Sequence, residues 1–222
     1  MFDLVIFDCD GVLIDSEIIS AQMLVEELAG LGVRIDLAYV ARHFLGRSYP
    51  TVMAQIRTEF GLDLPPEFED QYRSRLLAAF EVGLKVMPGV TDVLQGLALP
   101  WCVATSSSPR RAARSLEIAG LRGLVADGLY TATMVARGKP APDLFLHVAA
   151  ERGVDPGRCL VIEDSLNGVR AGLAAGMAVW RFTGGSHLAG LDLTPPPDAI
   201  PALHFTDFAD FFTLSPALLR RP

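Results

Sequence analysis

The chain has 222 residues, half of them hydrophobic, and a formal net charge of −7, which suits one good-sized domain or a core with a small insert. The negative charge argues against a nucleic-acid partner, because nucleic acids are bound by basic patches. No apolar stretch approaches the length of a membrane span, and the first residues lack the basic region of a signal peptide. We therefore expect no membrane partner and a cytoplasmic location. The three cysteines, Cys9, Cys102 and Cys159, fit neither a disulfide framework nor a zinc site.

The first predicted strand, residues 2–9, runs into two aspartates and a glycine, Asp8, Asp10 and Gly11. Side chains two apart in an extended chain lie on one face, so Asp8 and Asp10 should project together from the end of the strand. Ligands of open α/β sheets bind at that edge. Two carboxylates this close repel unless a cation lies between them, and a divalent, oxygen-binding metal such as Mg²⁺ is the natural candidate. The alternative is an ordinary strand-to-turn junction, where Asp and Gly are common.

Residues 15–83 predict an all-helical segment. Apolar residues recur there at helical spacing in three stretches, around residues 19–31, 52–60 and 72–80. Two linkers that could act as hinges would join this segment to the rest of the chain. The polar residues best suited to reach a substrate are Arg42, His43, Arg47, Tyr49, Arg73 and Arg75. We expect most of them on solvated helix faces, with Arg47 as the exception because it lies in a predicted loop.

Strands and helices alternate through the remainder of the chain. Apolar runs predict strands at residues 101–105, 159–163, 178–182 and 203–206, with a further short strand at 124–128. Helical patterns lie between them at 109–119, 142–152 and 166–175, after a first helix at 91–97. This alternation indicates an α/β fold with a parallel sheet covered on both faces.

Polar residues stand at the ends of two of these strands and on one nearby loop. Thr105 and Ser106 follow one strand, Glu163 and Asp164 end another, and Lys139 lies in a proline-containing loop. Each has an ordinary structural explanation, as a helix cap, a solvated lysine or acids at a helix start. All of them together with Asp8 and Asp10, in this order, indicate a single site.

On these segments the chain resembles the haloacid dehalogenase superfamily of phosphatases and phosphomutases. The resemblance covers nearly the whole chain and rests on four motifs: Asp8-Cys9-Asp10-Gly11-Val12, Thr105, Lys139-Pro140 and Glu163-Asp164. The run from Val12 to Glu17 is similar to the subfamily with a small helical cap, which includes β-phosphoglucomutase and many sugar-phosphate phosphatases. The resemblance implies a Rossmann-like α/β core of residues 1–14 and 84–222, with an inserted helical cap of residues 15–83.

The resemblance also implies roles for the motif residues. Asp8 would be the nucleophile that forms an aspartyl-phosphate, and Asp10 would protonate the leaving oxygen and then activate water. Lys139 would offset the phosphoryl charge and restrain Asp8. These residue types suit the chemistry, since an anionic nucleophile must meet an anionic phosphoryl group.

The same resemblance assigns the metal and the substrate contacts. Mg²⁺ would be bound by Asp8, the backbone carbonyl of Asp10 and Asp164, with Glu163 a ligand through water or a hydrogen-bonding partner of the ligands. Thr105 and the backbone of Ser106 would hydrogen-bond the phosphoryl oxygens. Arg47 lies where related caps present substrate-contacting residues.

The favoured function is a Mg²⁺-dependent phosphatase that hydrolyses a small phosphorylated metabolite, either a sugar phosphate or a phosphorylated sugar acid. Asp10 argues against dehalogenases and phosphonatases, which lack an acid at this position. A phosphomutase is the alternative, but Ser20 stands where β-phosphoglucomutase has a histidine, and the cap arginine is displaced in Gly46-Arg47-Ser48-Tyr49. A non-catalytic binding protein is a further alternative, against which every motif position is filled. The sequence does not indicate the oligomeric state.

Overall fold

A computed structural model describes residues 1–62, 64 and 67–220 of the chain. Its centre is a sheet of six parallel strands in the order β3-β2-β1-β4-β5-β6. The strands are β1 (Leu4–Phe7), β2 (Trp101–Thr105), β3 (Leu129–Thr131), β4 (Cys159–Glu163), β5 (Ala178–Phe182) and β6 (Leu203–Phe205). The predicted α/β class with a parallel sheet is confirmed. Residues 63, 65 and 66 of the predicted cap, and 221–222 of the predicted core, lie outside the described residues.

Ten α-helices are present among the described residues. They are α1 (Glu17–Gly30), α2 (Leu37–His43), α3 (Tyr49–Phe60), α4 (Phe68–Gly83), α5 (Val90–Gly96), α6 (Pro109–Ile118), α7 (Arg122–Val125), α8 (Asp143–Arg152), α9 (Leu166–Ala174) and α10 (Phe211–Leu214). The first four form the predicted helical insert. The prediction of a short strand at residues 124–128 is wrong, because α7 covers the start of this segment and β3 begins only at Leu129.

The sheet is buried on both faces, as the uninterrupted apolar character of its strands predicts. In β1, Val5 and Phe7 pack into one hydrophobic cluster, and Leu4 and Ile6 pack into a second cluster on the opposite face. All four side chains are essentially inaccessible to solvent. Burying one such large side chain contributes on the order of 2 kcal/mol, so β1 is anchored firmly at the centre of the sheet.

The strand register aligns the carboxyl ends of the central strands. Phe7 of β1 is opposite Val103 of β2 and Ile162 of β4. The residues that follow these positions therefore emerge at one edge of the sheet. Asp8 and Glu163 stand at that edge, as the alternation of strands and helices predicts.

The helical insert has a hydrophobic cluster of its own, whose most buried members include Leu28, Ile56 and Phe80. Its two linkers to the sheet lie side by side, with the Asp15 N–H donating to the Lys85 carbonyl at 2.9 Å. Paired linkers of this kind suit a hinge. The division of the chain at residues 14/15 and 83/84 stays a prediction.

Two expectations drawn from composition concern the cysteines and the membrane. Cys9, Cys102 and Cys159 are free, buried thiols that belong to the hydrophobic clusters on the two faces of the sheet. Within the described part of the chain, none of the helices combines the length and apolar character that crossing a bilayer requires.

Candidate active site

The turn after β1 brings the first motif against the end of β4. The Cys9 carbonyl accepts N–H groups from Leu13 at 2.9 Å and Ile14 at 3.2 Å, which folds the chain back on itself. Gly11 has φ +80, and a Cβ there would lie 2.0 Å from Asp164 Oδ2. Glycine is therefore required at position 11 for two reasons: the backbone conformation and the close approach of the Asp164 carboxylate.

Lys139 is the buried cation of the site. Its Nζ donates to Asp8 Oδ1 at 2.7 Å, to Glu163 Oε1 at 2.7 Å and to the Ala104 carbonyl at 2.9 Å. The ammonium group also lies 4.9 Å from the centre of the Phe145 ring. Burial alone would lower the pKa of Lys139, but the two carboxylates outweigh it and raise that pKa. The lysine is therefore charged and held in one position.

Three buried carboxylates, Asp8, Glu163 and Asp164, have oxygen atoms within 4.8 Å of one another. Burial raises the pKa of Asp8 despite the opposing charge of Lys139. Burial and the Glu163 charge raise the pKa of Asp164. Asp164 Oδ2 has no hydrogen-bond partner among the described residues.

The carboxylate cluster is thus short of positive charge and holds an unused, buried oxygen. An all-oxygen donor set of this kind fits a hard divalent cation such as Mg²⁺. The side chain of Asp10 is not a member of the cluster. Its predicted ligand atom, the backbone carbonyl oxygen, stays a prediction.

Asp10 faces a different set of groups from Asp8. Its carboxylate accepts hydrogen bonds from Ser16 Oγ at 2.6 Å, Ser107 Oγ at 2.6 Å and Thr105 Oγ1 at 3.3 Å. Arg111 Nη2 donates to Asp10 Oδ1 at 2.9 Å. Burial raises the pKa of Asp10, but Arg111 and the hydroxyl groups outweigh it, so the pKa lies below its ordinary value. The arrangement favours the ionised carboxylate.

A turn between α2 and α3 docks the helical insert on the site. Ser106 Oγ donates to the Gly46 carbonyl at 3.2 Å, and Asn167 Nδ2 donates to the Leu45 carbonyl at 2.9 Å. Arg47 follows in the same turn, with its guanidinium exposed and bonded to Gln55 at 2.9 Å. The predicted contact of Arg47 with substrate and the predicted phosphoryl contacts of Thr105 and Ser106 stay predictions.

Two adjoining cavities lie under this turn. The motif cavity, of about 30 Å³, is lined by Asp8, Asp10, Glu17, Gly46, Arg47, Thr105, Ser106, Ser107, Arg111, Lys139 and Glu163. The cap cavity, of about 60 Å³, lies between α1, α3, α4 and Arg111 and shares with the first the residues Glu17, Gly46, Arg47 and Arg111. The structure therefore brings almost all sequence-predicted site residues to one enclosed space.

Most of the other polar cap residues lie elsewhere. Of the six named from the sequence, Arg47 and Tyr49 are among the described residues that line the two cavities, whereas the rest are not: Arg42, His43, Arg73 and Arg75. Arg73 pairs with Glu69, and Arg75 pairs with Glu27 at 2.9 Å. For these two residues the solvated-face interpretation holds.

Sequence reasoning missed three residues, Arg111, Glu17 and His187. Arg111 lies one turn into α6, and Glu17 is the first residue of α1. His187 Nε2 lies 2.9 Å from Asp164 Oδ2 without hydrogen-bond geometry. For Arg111 a signal was available, since Ser108 caps α6 and fixes which of its residues face the strand end.

Glu17→Gln should raise the free energy of unfolding at high pH. Burial and the charge of Asp10 raise the pKa of Glu17 from 4.5 to about 7. Between these values the folded state binds more protons than the unfolded state, so the ionised side chain destabilises the fold as pH rises. We expect the substitution to add about 1–3 kcal/mol at pH 8 and little at pH 4.5.

Denaturant unfolding in EDTA at the two pH values measures this effect of Glu17→Gln. Glu26→Gln, an exposed position on the same helix, is the matched control and should change stability at neither pH. An equal effect of Glu17→Gln at both pH values would contradict the interpretation.

Known proteins are similar to this chain over most of its length. The model of the haloacid dehalogenase-like hydrolase family matches residues 2–176. A 6-phosphogluconate phosphatase of Escherichia coli (strain K12) is 29% identical over 184 residues, 82% of this chain and 83% of that protein. The fructose-1-phosphate phosphatase of the same strain is 35% identical over 181 residues, 78% of this chain and 92% of its own length.

A solved structure agrees over nearly the whole chain. A haloacid dehalogenase family hydrolase from Deinococcus radiodurans R1, with bound phosphate and sodium, superimposes with a TM-score of 0.73 at 34% identity, covering 100% of this chain and 99% of that one. The chain belongs to the haloacid dehalogenase-like hydrolase family. The resemblance expected from the sequence is confirmed.

Proposed function

We propose that this enzyme, a phosphatase of its family, is Mg²⁺-dependent and hydrolyses a small phosphorylated metabolite through an aspartyl-phosphate on Asp8. The observation that carries the proposal is the position of Lys139. Its ammonium bridges Asp8 and Glu163 at 2.7 Å each, beside the buried carboxylate cluster. This arrangement holds the Asp8 carboxylate in place as a nucleophile. The single charge of Lys139 does not neutralise the three carboxylates of the cluster, so a divalent cation can still bind there.

The metal would be held by Asp8, Asp164 and the backbone carbonyl of Asp10. Glu163 would bind it through water or hydrogen-bond the other ligands. When bound, Mg²⁺ supplies positive charge that offsets the repulsion between the phosphoryl group and the carboxylates. Lys139 contributes in the same direction through its contacts with Asp8 and Glu163. Glu163 is kept in position by Ser165, whose backbone N–H and Oγ donate to Glu163 Oε2 at 2.9 and 3.0 Å.

In the first step an oxygen of Asp8 attacks phosphorus and the bond from phosphorus to the ester oxygen breaks. Thr105 and the backbone of Ser106 orient the phosphoryl oxygens while Lys139 offsets their charge. The departing oxygen takes a proton from Asp10. The products of this step are the alcohol and an aspartyl-phosphate.

In the second step water attacks the phosphorus, and Asp10 accepts its proton as the bond to Asp8 breaks and phosphate leaves. The ionised form of Asp10, which its contacts favour, can accept this proton directly. For the first half, Asp10 must carry a proton, so its contact with Arg111 has to loosen when substrate binds. The docking of the cap turn on Ser106 and Asn167 excludes bulk water from both steps.

The substrate class follows from size, charge and the relatives. The two cavities are small, at about 60 and 30 Å³, which suits a metabolite rather than a phosphoprotein. The relatives named above are phosphatases of 6-phosphogluconate and fructose 1-phosphate. We propose a phosphorylated sugar or sugar acid for this chain, acting in the cytoplasm.

With β-glucose 1-phosphate as substrate, the protein should release inorganic phosphate faster than it forms glucose 6-phosphate. A mutase must keep water from the aspartyl-phosphate until the sugar returns in its other orientation. Here Ser20 replaces the histidine of the mutase cap, and Ser20 Oγ accepts from Arg111 at 3.1 Å. A time course with and without a bisphosphate primer measures both products. Faster accumulation of glucose 6-phosphate would establish the mutase alternative instead.

The overall proposal is tested with p-nitrophenyl phosphate and a panel of phosphorylated metabolites. The panel holds hexose phosphates, 6-phosphogluconate, phosphoglycolate and nucleotides. Phosphate release that requires Mg²⁺ and stops in EDTA separates an enzyme from a binding protein. Absence of turnover with every compound would overturn the proposed function.

A further inference from the structure

Two residues that line the cap cavity each have a buried polar atom with no hydrogen-bond partner within the described part of the chain: Arg111 Nε and Tyr49 Oη. Leaving such atoms unpaired lowers stability, and native proteins contain few of them. Two in the walls of one cavity of about 60 Å³ indicate that a ligand supplies the missing acceptors.

Arg111 has one nitrogen, Nη2, that is hydrogen-bonded within the protein and another, Nε, that is not. Its Nη2 donates to Asp10 at 2.9 Å and to Ser20 at 3.1 Å, and the guanidinium lies over the Phe80 ring at 5.6 Å. In the ligand-free protein these contacts hold the side chain between the core and the cap. Nε is left free to bind whatever enters the cap cavity.

The walls of the cap cavity are mostly apolar, with two cationic side chains among them. Arg111 and Arg47 both line it, in a chain whose net charge is −7. Its one acidic lining residue, Glu17, has a pKa raised to about 7, so it carries less than a full charge at neutral pH. A group with several acceptor atoms and a negative charge is the best match to these walls.

Resting on the phosphatase function proposed above, we propose that the cap cavity binds the leaving group of the substrate through a carboxylate that accepts from Arg111 Nε and Tyr49 Oη. The substrate is then a phosphorylated hydroxy acid. A hydroxyl group in the same place could pair with the same two atoms, but it would bring no negative charge to walls that carry Arg111 and Arg47. Because Arg111 also contacts Asp10, the carboxylate lies a few carbon atoms from the ester oxygen, and short acids should show the largest preference.

Matched pairs of substrates isolate the carboxylate. 3-Phosphoglycerate and glycerol 3-phosphate differ only in a carboxylate against a hydroxymethyl group, and so do 6-phosphogluconate and glucitol 6-phosphate. We expect kcat/KM to favour the acid by about tenfold or more in at least the three-carbon pair. Calorimetric titration of the inactive Asp8→Asn protein, in Mg²⁺, gives the Kd of each compound and should show the same preference without turnover.

Two substitutions test the assigned atoms. Tyr49→Phe removes only the unpaired hydroxyl, and Arg111→Lys keeps the charge but removes Nε. Each should reduce the preference for the acid by about tenfold. The ligand-free Tyr49→Phe protein should be at least as stable as the parent, because a buried, unpaired polar group has been deleted.

The controls are Tyr39→Phe and Arg110→Gln. Tyr39 bonds Glu59 at the cap surface, and Arg110 is an exposed neighbour of Arg111. Both proteins should keep the full preference for the acid. Loss of stability in Tyr49→Phe together with an unchanged preference would assign the hydroxyl a structural role and overturn the proposal.

The remaining outcomes separate this proposal from the proposed function. Turnover without any preference within the pairs overturns the carboxylate assignment and leaves the phosphatase in place. If no compound is hydrolysed, including p-nitrophenyl phosphate, the phosphatase function fails and the calorimetric Kd values decide the binding assignment. Tighter binding of the acid supports it, whereas equal or undetectable binding of both compounds overturns it.

Discussion

Asp8→Asn should reduce phosphate release by at least about a thousandfold, because loss of a covalent nucleophile removes the reaction path itself. An amide oxygen is a poor nucleophile, and the substitution changes neither the size nor the packing of the side chain. The rate of phosphate release from p-nitrophenyl phosphate measures the effect. Activity within tenfold of the parent would rule out Asp8 as the nucleophile, once mass spectrometry has excluded deamidation back to aspartate.

The same substitution should leave the metal-free protein as stable as before or raise its Tm. Burial and the charges of Glu163, Asp164 and Asp10 disfavour the ionised Asp8, although Lys139 opposes them. Asparagine removes that repulsion. Asp3→Asn, which changes an exposed aspartate paired with Arg158, is the matched control and should retain full activity.

Removing the divalent metal should abolish turnover, and Ca²⁺ should fail to restore it. Mg²⁺ demands near-octahedral geometry, so Asp8, as a proposed ligand, would bind it through one oxygen and keep the other for attack. Ca²⁺ accepts more ligands and can engage both oxygens. Turnover is measured after EDTA treatment and again after adding back each ion, with Ca²⁺ also tested as an inhibitor against Mg²⁺. Full turnover in Ca²⁺ would contradict this account.

A readout independent of turnover comes from thermal unfolding. Mg²⁺ should raise the Tm of the parent protein, because an ion that binds only the folded state stabilises it. The rise should be lost in Asp164→Asn, which removes a charge from the carboxylate cluster. Asp192→Asn, at an exposed loop position, should keep the full rise in Tm.

The central sheet and the motif positions could be predicted because their causes are local in sequence. A strand buried on both faces is a continuous apolar run, and its end is marked where polar residues begin. Ile162 followed by Glu163, and Phe7 followed by Asp8, are boundaries of this kind. Once parallel strands are inferred, their carboxyl ends fall at one edge without further information.

The remaining features depend on contacts between distant segments, which have no local signature. Ser108 marks the start of α6, but the identity of the group that Arg111 contacts, Asp10, depends on a segment about a hundred residues away and has no mark near Arg111. His187 reaches Asp164 from a turn after β5. The strand expected at residues 124–128 is wrong because its apolar residues serve α7, and a run that short does not distinguish helix from strand.

The strand order has a consequence for how the chain is synthesised. β1 lies between β2 and β4, so the segment bearing Asp8 leaves the ribosome before both of its neighbours and gains the first only with residue 101 and the second with residue 159. The buried members of the cap cluster, from Leu24 to Phe80, are made in one continuous stretch between these events. During synthesis the helical insert can therefore pack first. Until those strands are made, the apolar β1 lacks its partners in the sheet, which makes unfinished chains inactive and prone to aggregation.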